Sequence, residues 1–161
     1  MSGRYSVLMV CMGNICRSPT AEGVFRHAVR EAGLAGRIEV ASAGTHDYHV
    51  GGPADDRSTA HARQRGYDLS GHRARQVSEG DFDRFDLVLA MDHENFALLQ
   101  EICPPGADDK LRLFMAFAPD GMGEVVPDPY AGGPKGFELV LDQIEAASEG
   151  LLRHIRTELG A

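Results

Sequence analysis

Residues Ser6 to Pro19, SVLMVCMGNICRSP, decide the fold. The opening run, Ser6 to Val10, is nearly all apolar and too short for a helix, which suits a strand covered on both faces in a parallel sheet. From Cys11 to Arg17 no period holds, and Gly13 and Asn14 are residue types that tolerate left-handed backbone. Ser18 and Pro19 fit an N-cap and a first helical residue. Ala21, Val24, Phe25, Ala28 and Val29 then recur at helical spacing until Gly33 ends the segment. Strand, loop and helix follow one another directly.

Outward from this unit the alternation repeats. Ile38 to Ser42 reads as a second strand, and Asp56 to Arg65 as a polar helix stopped by Gly66. Asp86 to Ala90 is a third strand, with Asp92 to Ile102 as its helix, closed by Pro104 and Pro105. Leu111 to Phe114 is a weaker fourth strand. From Phe137 through Val140, Leu141, Ile144, Ala147, Leu151, Leu152 and Ile155 to Leu159 an apolar stripe keeps helical period, so a long helix is expected to pack on the sheet. The expectation is one α/β domain over residues 1–161, doubly wound. In such folds ligands bind beyond the carboxyl ends of the strands, where strand order reverses, and the Cys11 loop is a candidate for that place.

Composition narrows the function. The 161 residues carry 16 Lys and Arg against 24 Asp and Glu, a net charge of −8, which is the wrong sign for gripping a nucleic-acid backbone. The longest apolar run, VLMVCM, is far short of the ~20 residues that cross a bilayer, so no membrane contact is expected. It passes straight into Gly13, Asn14 and Arg17, unlike a secretory leader, and a cytoplasmic protein is expected. Three cysteines, Cys11, Cys16 and Cys103, are too few for a disulfide framework. Cys11 and Cys16 have no nearby His pair to complete a zinc site, and no phosphate-binding GxxxxGK[ST] occurs. Five Arg against one Asp lie between Arg57 and Arg75, a stretch that could attract an anion locally.

A loop between a buried strand and a helix start turns successive N–H groups inward, and the helix adds its positive end, making an oxyanion cradle. A thiol ending the strand there is expected to be a thiolate, because N–H dipoles and Arg17 favour the anion. A tetrahedral anion in the same cradle would meet Arg17 in a bidentate contact that Lys cannot copy. Phosphoryl transfer to sulfur is the chemistry these residue types suggest. Cys16 serves packing, or forms a reversible disulfide with Cys11; the sequence leaves both open.

CMGNICRSPTAE, from Cys11 to Glu22, resembles the signature of the low-molecular-weight protein tyrosine phosphatases. SAGT from Ser42, HRARQ from His72, the Met91–Asp92 pair and VPDPY ending at Tyr130 resemble further family segments in the same order. The resemblance implies a four-stranded parallel sheet flanked by helices on both faces and a phosphate-binding loop of Met12, Gly13, Asn14, Ile15, Cys16 and Ser18. It implies Cys11 as nucleophile, Arg17 as phosphate clamp and Asp128 as general acid, with Ser18 hydrogen-bonding the leaving thiolate and Asn14, Ser42 and His72 holding the loop. Met12, Tyr48 and Tyr130 match positions that wall the family's substrate cleft. The implied partner is a phosphotyrosine-containing protein, with inorganic phosphate and other oxyanions as inhibitors and no metal or cofactor, in a monomer or weak dimer. Two alternatives stand beside it: an arsenate reductase of the same fold, which needs a resolving cysteine pair where only Cys103 remains, and a noncatalytic phosphopeptide-binding module.

Overall fold

A computed structural model describes residues 4–129 and 133–160. Four parallel strands, β1 (Tyr5–Cys11), β2 (Ile38–Gly44), β3 (Leu87–Ala90) and β4 (Leu111–Leu113), form one sheet in the order β2-β1-β3-β4. Among the described residues five α-helices accompany them: α1 (Arg17–Glu31), α2 (Asp56–Gln64), α3 (Asp81–Arg84), α4 (His93–Ile102) and α5 (Pro134–Leu159). The expected parallel α/β architecture is present. The short α3 gave no periodic signal, because one turn shows no repeat.

β1 lies between β2 and β3, so the chain leaves it in opposite directions for its two neighbours. That reversal opens the crevice beyond Cys11. Side chains alternate along β1: Val7, Met9 and Cys11 join the core with Phe25 of α1 and Ile144 and Leu151 of α5, while Leu8 and Val10 face Phe82, Phe85 and Leu99. Both faces are dry, which is why the strand reads as a continuous apolar run. Each such fully buried aliphatic or aromatic side chain contributes about 1.5–3 kcal/mol.

Local chemistry sets the ends. Gly33 takes φ of +75°, and Leu34 N–H returns to the Val29 carbonyl at 3.0 Å, ending α1 as the sequence suggested. Asp55 caps α2, and Asp92 caps α4 by accepting from Asn95 N–H. The fourth strand stops at Leu113, one residue early, because Phe114–Phe117 turns into a 3-10 helix. α5 presses against that turn so closely that a Cβ on Gly150 would lie 1.8 Å from the Phe117 carbonyl oxygen.

Ser18 departs from expectation. α1 begins at Arg17, the capping position falls on Cys16 with no side-chain cap, and Ser18 sits inside the first turn. Its hydroxyl is turned to another task.

Candidate active site

The loop from Cys11 to Arg17 is built around Asn14, which is fully buried and holds φ at +58°, a left-handed value rare outside glycine. The surroundings determine that conformation. Asn14 Nδ2 donates to Ser18 Oγ at 2.9 Å and Ser42 Oγ at 3.0 Å, and its Oδ1 accepts Arg75 N–H at 2.9 Å. The Asn14 carbonyl meets His72 Nε2 at 2.6 Å. A carbonyl can only accept, so Nε2 carries the proton. His72 Nδ1 lies 4.0 Å from Glu22 Oε1, and Ser42 Oγ donates to that same oxygen at 2.5 Å. Ser42 and His72 thus reach the loop together with Glu22.

Ser18 Oγ accepts from Asn14, so its own proton is free to point at Cys11 Sγ, 3.0 Å away; the Ala43 carbonyl is a longer alternative at 3.4 Å. The loop is also braced from β2. Thr45 and His46 N–H groups donate to the Cys11 and Met12 carbonyls at 2.9 and 3.0 Å. A Cβ on Gly44 would lie only 2.7 Å from Met12 O, so this close approach requires glycine.

Arg17 is 3% exposed, and its Nη1 donates to Asp92 Oδ2 at 2.6 Å and to the Val126 carbonyl at 3.1 Å. Nη2 lies 4.0 Å from Asp128 Oδ2. Burial pulls its pKa down, but the Cys11 sulfur, Asp92 and Asp128 outweigh that and raise it. The guanidinium stays charged and aimed.

Cys11, Gly13, Cys16 and Arg17 line one cavity of 130 Å³, together with Met12, Ile15, Tyr48, His49 and Asp128. Tyr48 is 66% exposed and stacks on His46, with ring centroids 4.9 Å apart. Tyr130 lies outside the described residues. The Cys16 thiol is pushed up to about 12, chiefly by burial, with Asp55, Cys11 and Asp128 adding to the rise and a hydrogen bond to Ser58 opposing it. At neutral pH it is protonated. All three cysteines are unpaired, and Cys103 sits at a separate cavity beside Asp108.

Sequence reasoning assigned no role to four side chains here. Asp92 had a readable signal as the cap of α4, but its second oxygen on Arg17 had none. Glu22 lies on α1, directly after the loop, whereas Arg75 and His49 come from segments whose approach to the loop only packing creates. Three arginines of the basic stretch are engaged internally: Arg65 pairs with Glu138, Asp142 and Glu145, Arg75 with Asp81, and Arg57 with Asp55. It offers a substrate less attraction than its charge suggested. Among the described residues no helix is long and apolar enough to cross a membrane, and no cluster of three or more His, Cys, Asp or Glu is placed to hold a metal ion.

Residues 6–161 match the family described as low molecular weight phosphotyrosine protein phosphatase. A low molecular weight protein-tyrosine-phosphatase of Streptomyces coelicolor is 46% identical over 158 residues, covering 96% of each chain. Among solved structures, the protein tyrosine phosphatase of Entamoeba histolytica with Hepes in its active site superposes with a TM-score of 0.91 at 39% identity, covering 97% of this chain and 98% of that one. YfkJ from Bacillus subtilis gives a TM-score of 0.91 at 39% identity, with 97% of both chains covered. Fold, loop and likeness along nearly the whole sequence agree: the chain belongs to the low molecular weight phosphotyrosine protein phosphatases.

Proposed function

We propose that the protein hydrolyses phosphotyrosine esters of proteins in two steps at the Cys11 cavity. The Cys11 sulfur attacks phosphorus, forming the S–P bond as the P–O bond to the tyrosine ring breaks. Asp128, protonated, donates to the departing oxygen, because unassisted loss of a phenolate of parent pKa ~10 is slow. In the second step the Asp128 carboxylate takes a proton from water, whose oxygen attacks phosphorus while the S–P bond breaks and the Ser18 hydroxyl stabilises the returning sulfur anion. Phosphate then leaves. Arg17, held by Asp92, binds two equatorial oxygens throughout, and its fixed orientation requires no reorganisation as charge moves.

The observation that carries this reading is the meeting, at one 130 Å³ cavity, of Cys11, Arg17 and Asp128, with Ser18 Oγ 3.0 Å from the sulfur. Met12, Ile15, Tyr48 and His49 line the same cavity. Apolar and aromatic walls favour a long aryl ester over a short alkyl one. Three unpaired thiols, with Cys16 kept protonated, fit a reducing compartment such as the cytoplasm.

The test uses p-nitrophenyl phosphate and phosphotyrosine peptides without added metal. Cys11→Ser is expected to lower turnover by about 10³-fold or more while vanadate still binds. Asp128→Ala is expected to cost ~10²–10⁴-fold on phenyl phosphate and far less on an activated ester. Stoichiometric binding without turnover in the unmodified protein would instead identify a phosphopeptide-binding module, and thioredoxin-dependent arsenate reduction a reductase.

A further inference from the structure

Asp128 is seated from behind by the start of α5. Pro129, the residue after it, is buried, and a Cβ added to Gly136 in the first turn of α5 would lie 3.7 Å from the Pro129 Cβ. Phe137 follows, 3% exposed, with the His61 ring of α2 stacked on it at 5.3 Å and 2° and the Arg57 guanidinium 4.9 Å from its centroid. Glu138 comes next. Its carboxylate meets His61 Nδ1 at 2.5 Å and Arg65 Nη2 at 2.7 Å. Arg65 also reaches Asp142 at 3.0 Å and Glu145 at 2.8 Å, so one guanidinium at the end of α2 spans about two turns of α5.

The other end of α2 is tied to the phosphate loop. Asp55 N–H donates to the Ile15 carbonyl at 2.8 Å. One helix therefore contacts both the loop that holds the sulfur and the turn of α5 on which Pro129 rests. Isolated surface ion pairs stabilise little, but a cation shared by three carboxylates from one helix fixes that helix in register.

We propose that Arg65 is a positioning residue for Asp128. By locking the first turns of α5 onto α2, it holds the Pro127–Pro129 turn at a set distance from Cys11, so that the Asp128 proton meets the leaving oxygen. The inference rests on the reading of Asp128 as general acid, and it adds that the acid's placement is determined outside the cavity, at a contact between two helices.

The experiment compares kcat/KM across aryl phosphates from phenyl to 2,4-dinitrophenyl for the unmodified protein and for Arg65→Gln, Arg65→Lys, Glu138→Gln and Asp128→Asn. Arg65→Gln and Glu138→Gln should each lose about five- to tenfold on phenyl phosphate, the scale of a few tenths of an ångström of misplacement, and less than about twofold on the dinitrophenyl ester. Arg65→Lys should recover part of the loss. The activated ester reports whether the cavity itself is intact. Equal losses on both esters, or no loss on phenyl phosphate, would overturn the proposal. Should Arg65→Gln fail to fold, Glu138→Gln, at a half-exposed carboxylate, decides the same question. Asp128→Asn separates the two claims: a flat response there removes the general-acid reading itself, whereas a steep response beside a flat Arg65→Gln removes the positioning role alone.

Discussion

Asn14→Ala perturbs the Cys11–Arg17 loop at its centre, and the structure sets the size of the effect. The side chain makes three hydrogen bonds, to Ser18, Ser42 and the Arg75 N–H, all at 2.9–3.0 Å. At about 1 kcal/mol each their loss amounts to about 3 kcal/mol. Alanine at φ of +58° adds about 1–2 kcal/mol, a strain asparagine bears more easily. The expected destabilisation is about 4–5 kcal/mol, a large share of the 5–15 kcal/mol typical of a folded domain. Asn14→Gly removes the same hydrogen bonds but relieves the strain, so it should be more stable than Asn14→Ala by about 1 kcal/mol. Urea unfolding with linear extrapolation measures both. Activity should fall together in the two variants, by about 10²-fold, because each frees the loop by something near 1 Å. A destabilisation of Asn14→Ala below about 1.5 kcal/mol, or an Asn14→Gly variant weaker than Asn14→Ala, would refute the reasoning.

Gly44→Ala sets a Cβ 2.7 Å from Met12 O where ordinary contact begins at 3.4 Å, so the loop must yield by about 0.7 Å. That exceeds the ~0.5 Å tolerance of a functional site, and kcat/KM on p-nitrophenyl phosphate should drop about tenfold; unchanged kinetics would contradict the brace. Asp81 is buried, which alone would raise its pKa, but Arg75 at 3.0–3.1 Å and the Ser78 N–H at 2.8 Å outweigh burial and lower it from 3.8. A carboxyl with a depressed folded pKa stabilises above its unfolded pKa, and the contribution disappears as pH falls through the folded value. Asp81→Asn should therefore cost about 1–3 kcal/mol at pH 7, with the difference from the unmodified protein shrinking below about pH 4; a gap that widens in acid would show the sign to be wrong. Gly150→Ala gains about 1 kcal/mol of helix propensity but forces α5 off the Phe117 carbonyl, for a net loss of about 1–3 kcal/mol. Thermal unfolding checks it, and a rise in Tm would count against the packing described.

The alternation of strand and helix was readable because it is local. A strand buried on both faces needs an apolar run such as Ser6 to Val10, a long packed helix needs the stripe from Phe137 to Leu159, and Gly33 and Gly66 mark ends that demand positive φ. The candidate-site loop was legible for the same reason: Cys11, Asn14, Arg17 and Ser18 fall within eight residues. What tertiary structure decided is where side chains point once those pieces meet. The local pattern reads Ser18 as a helix cap, and its hydroxyl instead faces the Cys11 sulfur, as the family resemblance implied; Asp92, read as the first residue of its helix, caps α4, and its other oxygen orients Arg17 from 75 residues away. His49 carried no signal, Glu22 only its place at the end of the signature, and two arginines of the basic stretch, Arg65 and Arg75, are met on folding by Glu138, Asp142, Glu145 and Asp81. Periodicity reports which face of an element avoids water, a property of neighbours along the chain. Partnership between polar groups depends on distance in space, and only the packed sheet and helices fix that distance.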